Sequence, residues 1–224
     1  MTFSLAARDA PSGAFGMIIS SSSPAVASRC VNLRTGIGAV ASQNVTNPAL
    51  GPAVLDELEC GRTAREAIEA VVTAEPFHDF RQLAAVDANG TSFVYSGSGA
   101  LGRVGAKAVD GAVAAGNMLG GEHVIDAYLD GYLSSSAATF EERLFDGFRA
   151  ALRAGGEAGP IRSAGIAVVE AASWRVTDLR IDDHDDPCGE LARLLELWLP
   201  QKSDYLTRAI DPTTATSYGV PGDE

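Results

Sequence analysis

The 224-residue sequence predicts an α+β fold, a four-layer αββα sandwich in which two antiparallel sheets are covered by helices. The main observation is the order of the expected elements: strands, two helices, strands, two helices, strands and a helix. Such blocks argue against a parallel sheet built from βαβ units, in which strands and helices alternate. The length suits one two-sheet domain. A content of 46% hydrophobic and 21% charged residues is that of an ordinary globular protein with a full core.

The first half of the chain predicts three pairs of strands and one helical layer. The strands show period-two alternation or short apolar runs between turn residues, over residues 2–7, 15–20, 31–33, 37–42, 83–87 and 92–96. The last two flank Asn89-Gly90, a favoured hairpin turn because both residues tolerate a positive φ. Helices are expected over residues 48–60 and from Thr63, which has capping-box spacing to Glu66.

The second half predicts four more strands, a second helical layer and a final helix. The strands are expected over residues 104–108, 112–116, 161–170 and 174–181, and the helices over residues 122–134 and 139–154. The final helix begins after Asp186-Pro187, an N-cap residue followed by a proline at the first helical position. From about Thr207 the chain has little apolar content, which indicates a surface strap or partial disorder. We therefore expect one domain over residues 1–206 and a tail over residues 207–224.

Charge and composition argue against several classes of partner. A net charge of −12, with no cluster of Lys or Arg, repels a phosphate backbone, so we expect no nucleic-acid partner. The longest apolar runs are far shorter than the roughly 20 residues that span a bilayer, so we expect no membrane partner. The chain begins without a basic or apolar leader, which predicts a cytoplasmic protein. The three cysteines lack metal-site spacing, and we expect no cofactor.

Thr2 is the first candidate catalytic residue. Met1 is normally removed when a small residue such as threonine follows it, which leaves a first residue that carries both a hydroxyl and a free α-amine. The α-amine has an ordinary pKa of about 8, so a large fraction is neutral near pH 7 and can take the hydroxyl proton during attack. The predicted strand begins at once, which would hold this nucleophile and its base rigidly.

Hydrogen-bonding side chains without charge follow two predicted strands, at Ser42, Gln43, Asn44 and Asn117. Donors of this kind could polarise a carbonyl or hold an oxyanion, provided they point at the developing charge. We take Asn117 and Asn44 as candidate catalytic residues and the other two as candidate substrate-binding residues. The structural alternatives are helix capping by Thr46 or Asn47 and a simple turn role for each asparagine.

A serine run at the end of the second predicted strand supplies further substrate-binding candidates, Ser20, Ser21 and Ser22. No GxSxG motif exposes a nucleophilic serine here, so we interpret the run as a polar wall of a cleft. Arg29 follows closely and could bind a substrate carboxylate through both of its guanidinium nitrogens. Its alternative role is an ordinary surface ion pair.

An acidic segment around one histidine lies between the last strand and the last helix. Its candidates for substrate binding are Asp183 and His184, and the same residues with Asp182 could instead bind a metal ion. The structural alternative is that Asp186 caps the final helix while Arg180 pairs with a neighbouring aspartate. We assign no residue as a metal ligand.

Five segments in this order resemble a bacterial and archaeal family, domain-of-unknown-function family 1028. They are Thr2–Asp9, Ser20–Val26, Gly38–Asn44, Gly116–Leu119 and Arg180–Pro187. The resemblance covers about residues 2–200 and implies an N-terminal-nucleophile (Ntn) hydrolase-like fold. By analogy with Ntn hydrolases it implies hydrolysis of a C–N amide-type bond through an acyl-enzyme on Thr2. The family has no established general reaction, so the other site residues rest on their own chemistry.

The leading hypothesis is therefore an Ntn-type amidohydrolase that acts on a small polar metabolite and forms a homo-oligomer. One alternative is a non-catalytic small-molecule-binding or assembly protein on the same fold. The other is a metal-dependent hydrolase that uses Asp182, Asp183 and His184.

Overall fold

Two antiparallel β-sheets pack face to face, and helices cover the outer face of each. The computed structural model describes residues 2–220 and gives ten strands and seven α-helices within them. The strands are β1 (Thr2–Arg8), β2 (Phe15–Ser21), β3 (Val31–Arg34), β4 (Gly38–Asn44), β5 (Arg81–Asp87), β6 (Ser92–Ser96), β7 (Gly105–Val109), β8 (Ala112–Asn117), β9 (Ser163–Val169) and β10 (Arg175–Ile181). The helices are α1 (Val26–Cys30), α2 (Leu50–Glu59), α3 (Ala64–Ala74), α4 (Val124–Leu133), α5 (Phe140–Arg153), α6 (Pro187–Trp198) and α7 (Lys202–Ile210). The predicted αββα sandwich is confirmed.

Strand β1 lies in the middle of the larger sheet. That sheet has the strand order β10-β9-β2-β1-β8-β7, and the smaller sheet has the order β3-β4-β5-β6. Thr2 pairs with Asn117 of β8, and Phe3 pairs with Ser20 of β2. The chain therefore begins in a central strand that has a hydrogen-bonded neighbour on each side.

Three apolar layers hold the sandwich together. Helices α4, α5 and α6 cover the larger sheet through a core that contains Phe3, Tyr128 and Phe148. Helices α2 and α3 cover the smaller sheet through Val54 and Ile68. The layer between the sheets is rich in alanine and valine, and its members include Ala6, Ala41, Ala84, Val86, Val113 and Ala115. These small side chains allow the two sheets to approach closely at the centre of the molecule.

The helix signals in the sequence are confirmed in detail. Thr63 with Glu66, and Thr139 with Glu142, form complete capping boxes at the starts of α3 and α5. Asp186 accepts a hydrogen bond from the backbone N–H of Gly189 and caps α6 as expected. Within residues 2–220, no helix has both the length and the apolar character that crossing a membrane requires.

Two helices were not predicted from the sequence. Helix α1 has only five residues, too few for an apolar period to be visible. Helix α7 continues through residue 207, where the tail was expected to begin, and residues beyond it fold back so that Arg208 lies 4.0 Å from the ring centre of Tyr218. Two predicted features fall on residues outside those described: the removal of Met1 and the end of the tail, residues 221–224.

A buried ion pair attaches α7 to the rest of the fold. Lys202 Nζ lies 2.8 Å from an oxygen of Glu141, whose residue is 1% exposed, and 2.5 Å from an oxygen of Glu170. Thr177 of β10 also donates a hydrogen bond to Glu141. Burial opposes the charge on Lys202, but its bonds to the two carboxylates raise its pKa above the ordinary value.

Replacing this lysine should destabilise the protein. In Lys202→Met the carboxylate of Glu141 stays buried without its cation, which costs about 3 kcal/mol of unfolding free energy. Denaturant unfolding at pH 7 measures the loss. The matched control is Lys107→Met, because Lys107 pairs with Asp126 at the exposed surface; it should leave the unfolding midpoint unchanged. Equal losses in the two variants would contradict the structural role given to the buried pair.

Candidate active site at the start of β1

Thr2 lies at the end of the layer between the two sheets. Successive side chains of a strand point to opposite faces, so Phe3 packs under the helices while Thr2 and Ser4 face the smaller sheet. Thr2 is 5% exposed, and its hydroxyl oxygen Oγ1 lies 3.4 Å from Oγ of Ser21 on β2. The expected nucleophile is thus held between two strands, with its hydroxyl directed toward Ser21 in the layer between the sheets.

The layer between the sheets changes from apolar to polar at this end. The polar residues are all buried and come from both sheets: Thr2, Ser4, Ser21, Gln43, Gln82 and Asn117. Strand register accounts for their meeting, because Thr2 pairs with Asn117 and Gln43 pairs with Gln82. We call this group the polar end of the inter-sheet layer.

A chain of hydrogen bonds joins the polar end across the two sheets. Ser4 Oγ donates to Gln43 Oε1 at 2.7 Å, and Gln43 Nε2 donates to Gln82 Oε1 at 2.8 Å. Asn117 Nδ2 donates to the same Gln82 oxygen at 3.2 Å. Gln82 Nε2 in turn donates to Ser96 Oγ at 2.9 Å and to the carbonyl oxygen of Gly116 at 3.2 Å. Gln82 therefore fixes the orientation of both Gln43 and Asn117.

Gln82 is the central residue that the sequence analysis missed. The predicted strand began at Leu83, two residues after the observed start of β5, and so left Gln82 out. Period-two alternation was the available signal, since Gln82, Ala84 and Val86 share one face and the last two are core residues. A glutamine on a core-facing position requires a buried partner.

Asn44 lies beside this network and faces away from Thr2. It has a positive φ of 73°, an uncommon conformation for a residue other than glycine. Its Nδ2 donates to the carbonyl oxygen of Phe80 at 2.7 Å, and its Oδ1 accepts from the backbone N–H of Leu101 at 3.3 Å. Asn44 therefore connects two loops through hydrogen bonds to their backbone.

Two of the serine candidates bond to backbone carbonyls. Ser20 donates to the carbonyl oxygen of Ser163, and Ser42 donates to that of Asn47. Ser21 remains beside Thr2, and Ser22 follows it just past the end of β2. Arg29 is half-buried and donates to the backbone carbonyls of Pro24 and Ala25, just before its own helix.

The acidic segment lies outside the polar end. Asp183 accepts from Arg162 Nε at 2.9 Å, and this bond holds the pKa of Asp183 below its ordinary value. His184 Nδ1 accepts from the backbone N–H of Asp186 at 3.0 Å. Among residues 2–220, no three His, Cys, Asp or Glu side chains are grouped closely enough to hold a metal ion. The described geometry gives the metal-hydrolase alternative no ligand set.

Glu157 is a second residue that the sequence analysis missed. It is 6% exposed, and neither carboxylate oxygen has a hydrogen-bond partner of normal geometry among the described residues. Burial raises its pKa to about 7, although the nearby hydroxyl and backbone N–H of Ser22 partly oppose this rise. Its surroundings in sequence, Gly155-Gly156-Glu157, are typical of a loop and gave no sign of a buried acid.

Two surface cavities lie away from the polar end. One of about 350 Å³ lies between β10 and helices α6 and α7, beside Trp174 and Trp198. Another of about 390 Å³ lies between α5 and α6. Thr2 lines neither cavity. The candidate site is therefore identified by its buried polar side chains and not by the volume of a cavity.

Comparison with known proteins places the chain in a family. The model of a family of unknown function, DUF1028, matches residues 2–191. The chain belongs to the DUF1028 family. A solved DUF1028 structure, protein SPO2555 from Silicibacter pomeroyi, is 30% identical with a TM-score of 0.85, covering 91% of this chain and 89% of that one. No curated protein matches the sequence.

More distant similarities to this DUF1028 chain are found among Anbu structures. A Gly-1 mutant from Hyphomicrobium sp. strain MC1 is 14% identical with a TM-score of 0.42, over 90% of this chain and 96% of that one. The ancestral β-subunit from Yersinia bercovieri is 12% identical with a TM-score of 0.41, over 92% and 97%. Similarity at this level carries no argument about the reaction.

The stability of this DUF1028 chain should depend on the hydrogen bonds that Gln82 makes at the polar end. In Gln82→Leu, the amide N–H groups of Gln43 and Asn117 lose their acceptor in a buried setting, which costs about 2 to 3 kcal/mol of unfolding free energy. Denaturant unfolding measures this loss. Gln201→Leu, at an exposed glutamine between α6 and α7, is the control and should change stability little. A fully stable Gln82→Leu protein would show that the chain of hydrogen bonds is not required.

Proposed function

We propose that the protein is an N-terminal-nucleophile amidohydrolase, with Thr2 as its nucleophile, acting on a C–N amide-type bond of a small polar molecule. The observation that carries the proposal is the position of Thr2 at the start of a central strand, with its hydroxyl directed toward Ser21 at the polar end of the inter-sheet layer. A nucleophile needs a base within hydrogen-bond reach, and the α-amine of the same residue supplies one once Met1 is removed.

The reaction follows from these two groups. Thr2 Oγ1 attacks the carbonyl carbon, and the α-amine accepts the hydroxyl proton as the new C–O bond forms. The tetrahedral intermediate collapses, the C–N bond breaks, and the α-ammonium returns the proton to the leaving nitrogen. Water then attacks the acyl-enzyme ester with the amine again acting as base, which releases the acid and restores Thr2.

Asn117 is the proposed donor to the oxyanion. It pairs directly with Thr2, and its Nδ2 carries two hydrogens, one of which bonds to Gln82. The bond to Gln82 fixes the amide plane before a substrate arrives, which is the condition for effective stabilisation of a developing negative charge. Gln82 acts through Asn117 and is therefore a positioning residue.

Small-molecule binding without catalysis is a second candidate function. The low exposure of Thr2 favours it, as does the cavity of about 350 Å³ lined by Trp174 and Trp198 on a different face. Chemical reactivity of Thr2 separates this candidate from the hydrolase.

A β-lactone electrophile should acylate Thr2. Intact mass should first show that Met1 is absent. Trypsin then releases residues 2–8, and this peptide should carry the mass of the opened lactone. Thr2→Val replaces the hydroxyl with a methyl group and should abolish the label, whereas Ser28→Ala, at an exposed serine of α1, should keep it. Retained Met1, or a label that survives in Thr2→Val, would reject Thr2 as the nucleophile and favour the binding protein.

Asn117→Ala should slow the same acylation. Attack on the lactone passes through an oxyanion, and loss of one such donor lowers rates by about 10²-fold or more. Asn117→Asp has nearly the same shape but exchanges the N–H donor for an acceptor, so it should lose a similar factor. The lactone labelling rate at fixed pH is the measurement. A rate within twofold of the unmodified protein in both variants would exclude Asn117 from this role.

A further inference from the structure

We propose that Glu157 binds the α-ammonium group of Thr2 once Met1 has been removed, and that this ion pair holds the new terminus at the mouth of the site. The proposal rests on the proposed function only in requiring that Thr2 becomes the first residue. It does not require that the protein catalyses any reaction.

The position of Glu157 is fixed by the loop that follows α5. Glu157 forms a bridge with Leu119, and the backbone N–H of Ala158 donates to the carbonyl oxygen of Met118 at 2.9 Å. Gly120 allows this close approach, since a Cβ atom there would lie 2.4 Å from the carbonyl oxygen of Gly155. The backbone at Glu157 is therefore attached to the segment just beyond β8.

The side chain of Glu157 reaches the opposite flank of β1. Its carboxylate lies near Ser22, the first residue past the end of β2. Strands β2 and β8 are the two neighbours of β1 in the sheet, and adjacent strands are about 4.8 Å apart. A residue attached beyond β8 whose side chain reaches beyond β2 must cross in front of the first residue of β1, which is Thr2.

A buried carboxylate at this place requires a positive partner or a proton. Burying an ionised carboxylate without a partner is costly, and the two oxygens of Glu157 have no hydrogen bond of normal geometry within residues 2–220. Ser22, Leu119 and the glycines that surround it bring no charge, and no charged side chain among the described residues shifts its pKa. Removal of Met1 would give Thr2 a positive α-amine at the start of β1, between the ends of β2 and β8.

The pKa values of Glu157 and the α-amine also suit the role of the amine as a base. The pKa of Glu157, about 7, lies near the value of about 8 for an ordinary α-amine. The carboxyl group can therefore hold the proton of the amine while the amine is neutral and ready to accept a proton from the hydroxyl. The carboxylate form, in contrast, stabilises the ammonium and raises the pKa of the amine.

The ionisation of the α-amine tests the proposal without a substrate. Competitive acylation with acetic anhydride over a range of pH, followed on the tryptic peptide 2–8, gives the amine pKa. In Glu157→Gln this pKa should fall by one unit or more, so acylation at pH 7 should become about tenfold faster. Glu122→Gln, at an exposed glutamate just before α4, should titrate like the unmodified protein.

A second measurement covers the case in which Glu157→Gln does not fold. Acetylation of the terminus in the unmodified protein removes the positive charge, so the pKa of Glu157 followed by carboxyl NMR should rise. No rise, an unchanged amine pKa in Glu157→Gln, or retained Met1 in the intact mass would overturn the proposal. Thr2→Val separates the two proposals, because it keeps the amine and its dependence on Glu157 while it removes the hydroxyl that hydrolysis requires.

Discussion

The register of β1 against its two neighbours is the constraint on which the site depends. Because side chains alternate along a strand, a slip of one residue would turn Thr2 and Ser4 under the helices and send Phe3 into the groove. Phe3 packs against Tyr128 and Phe148 at ring distances of 5.8 and 5.7 Å. The aromatic core on one face of β1 therefore sets the direction of the Thr2 side chain on the other face.

The polar end is stabilised by hydrogen bonds between uncharged side chains and not by ion pairs. Ser4, Gln43, Gln82 and Asn117 are buried amides and a hydroxyl, and each bond in the chain joins a donor to an acceptor. A buried network of this kind specifies one geometry when every member is satisfied and is costly when one is missing. Glu157 differs, since its carboxylate is buried with an unfilled hydrogen-bonding capacity within the described residues. The network therefore fixes the orientation of Asn117. Glu157, in contrast, has a buried carboxylate that can still accept a hydrogen bond from another group.

Most of the fold was predictable because its signals are local. Capping boxes, the Asn89-Gly90 turn and the apolar periods each involve residues within one turn or one strand, and all ten strands and five of the seven helices lie close to where they were expected. The site was predictable only in part. Thr2 and Asn117 do meet, but Gln82 and Glu157 come from strands and loops far away in the chain, and no local pattern reveals which distant residues face each other. Asn44 shows the opposite error: it is a polar residue beside the site, but its side chain bonds to the backbone of Phe80.

The side chains of the polar end are uncharged, which limits the groups that could make its chemistry depend on pH. Amide groups keep one protonation state across the physiological pH range, so the orientation of Asn117 does not change with pH. Within residues 2–220, the titratable side chain that lies across the start of β1 is Glu157. In the proposed mechanism, the pH dependence of the reactivity of Thr2 near neutrality would report the terminal amine and Glu157 together. When two groups interact this closely, the apparent pKa values belong to the pair, and neither can be assigned from a rate profile alone.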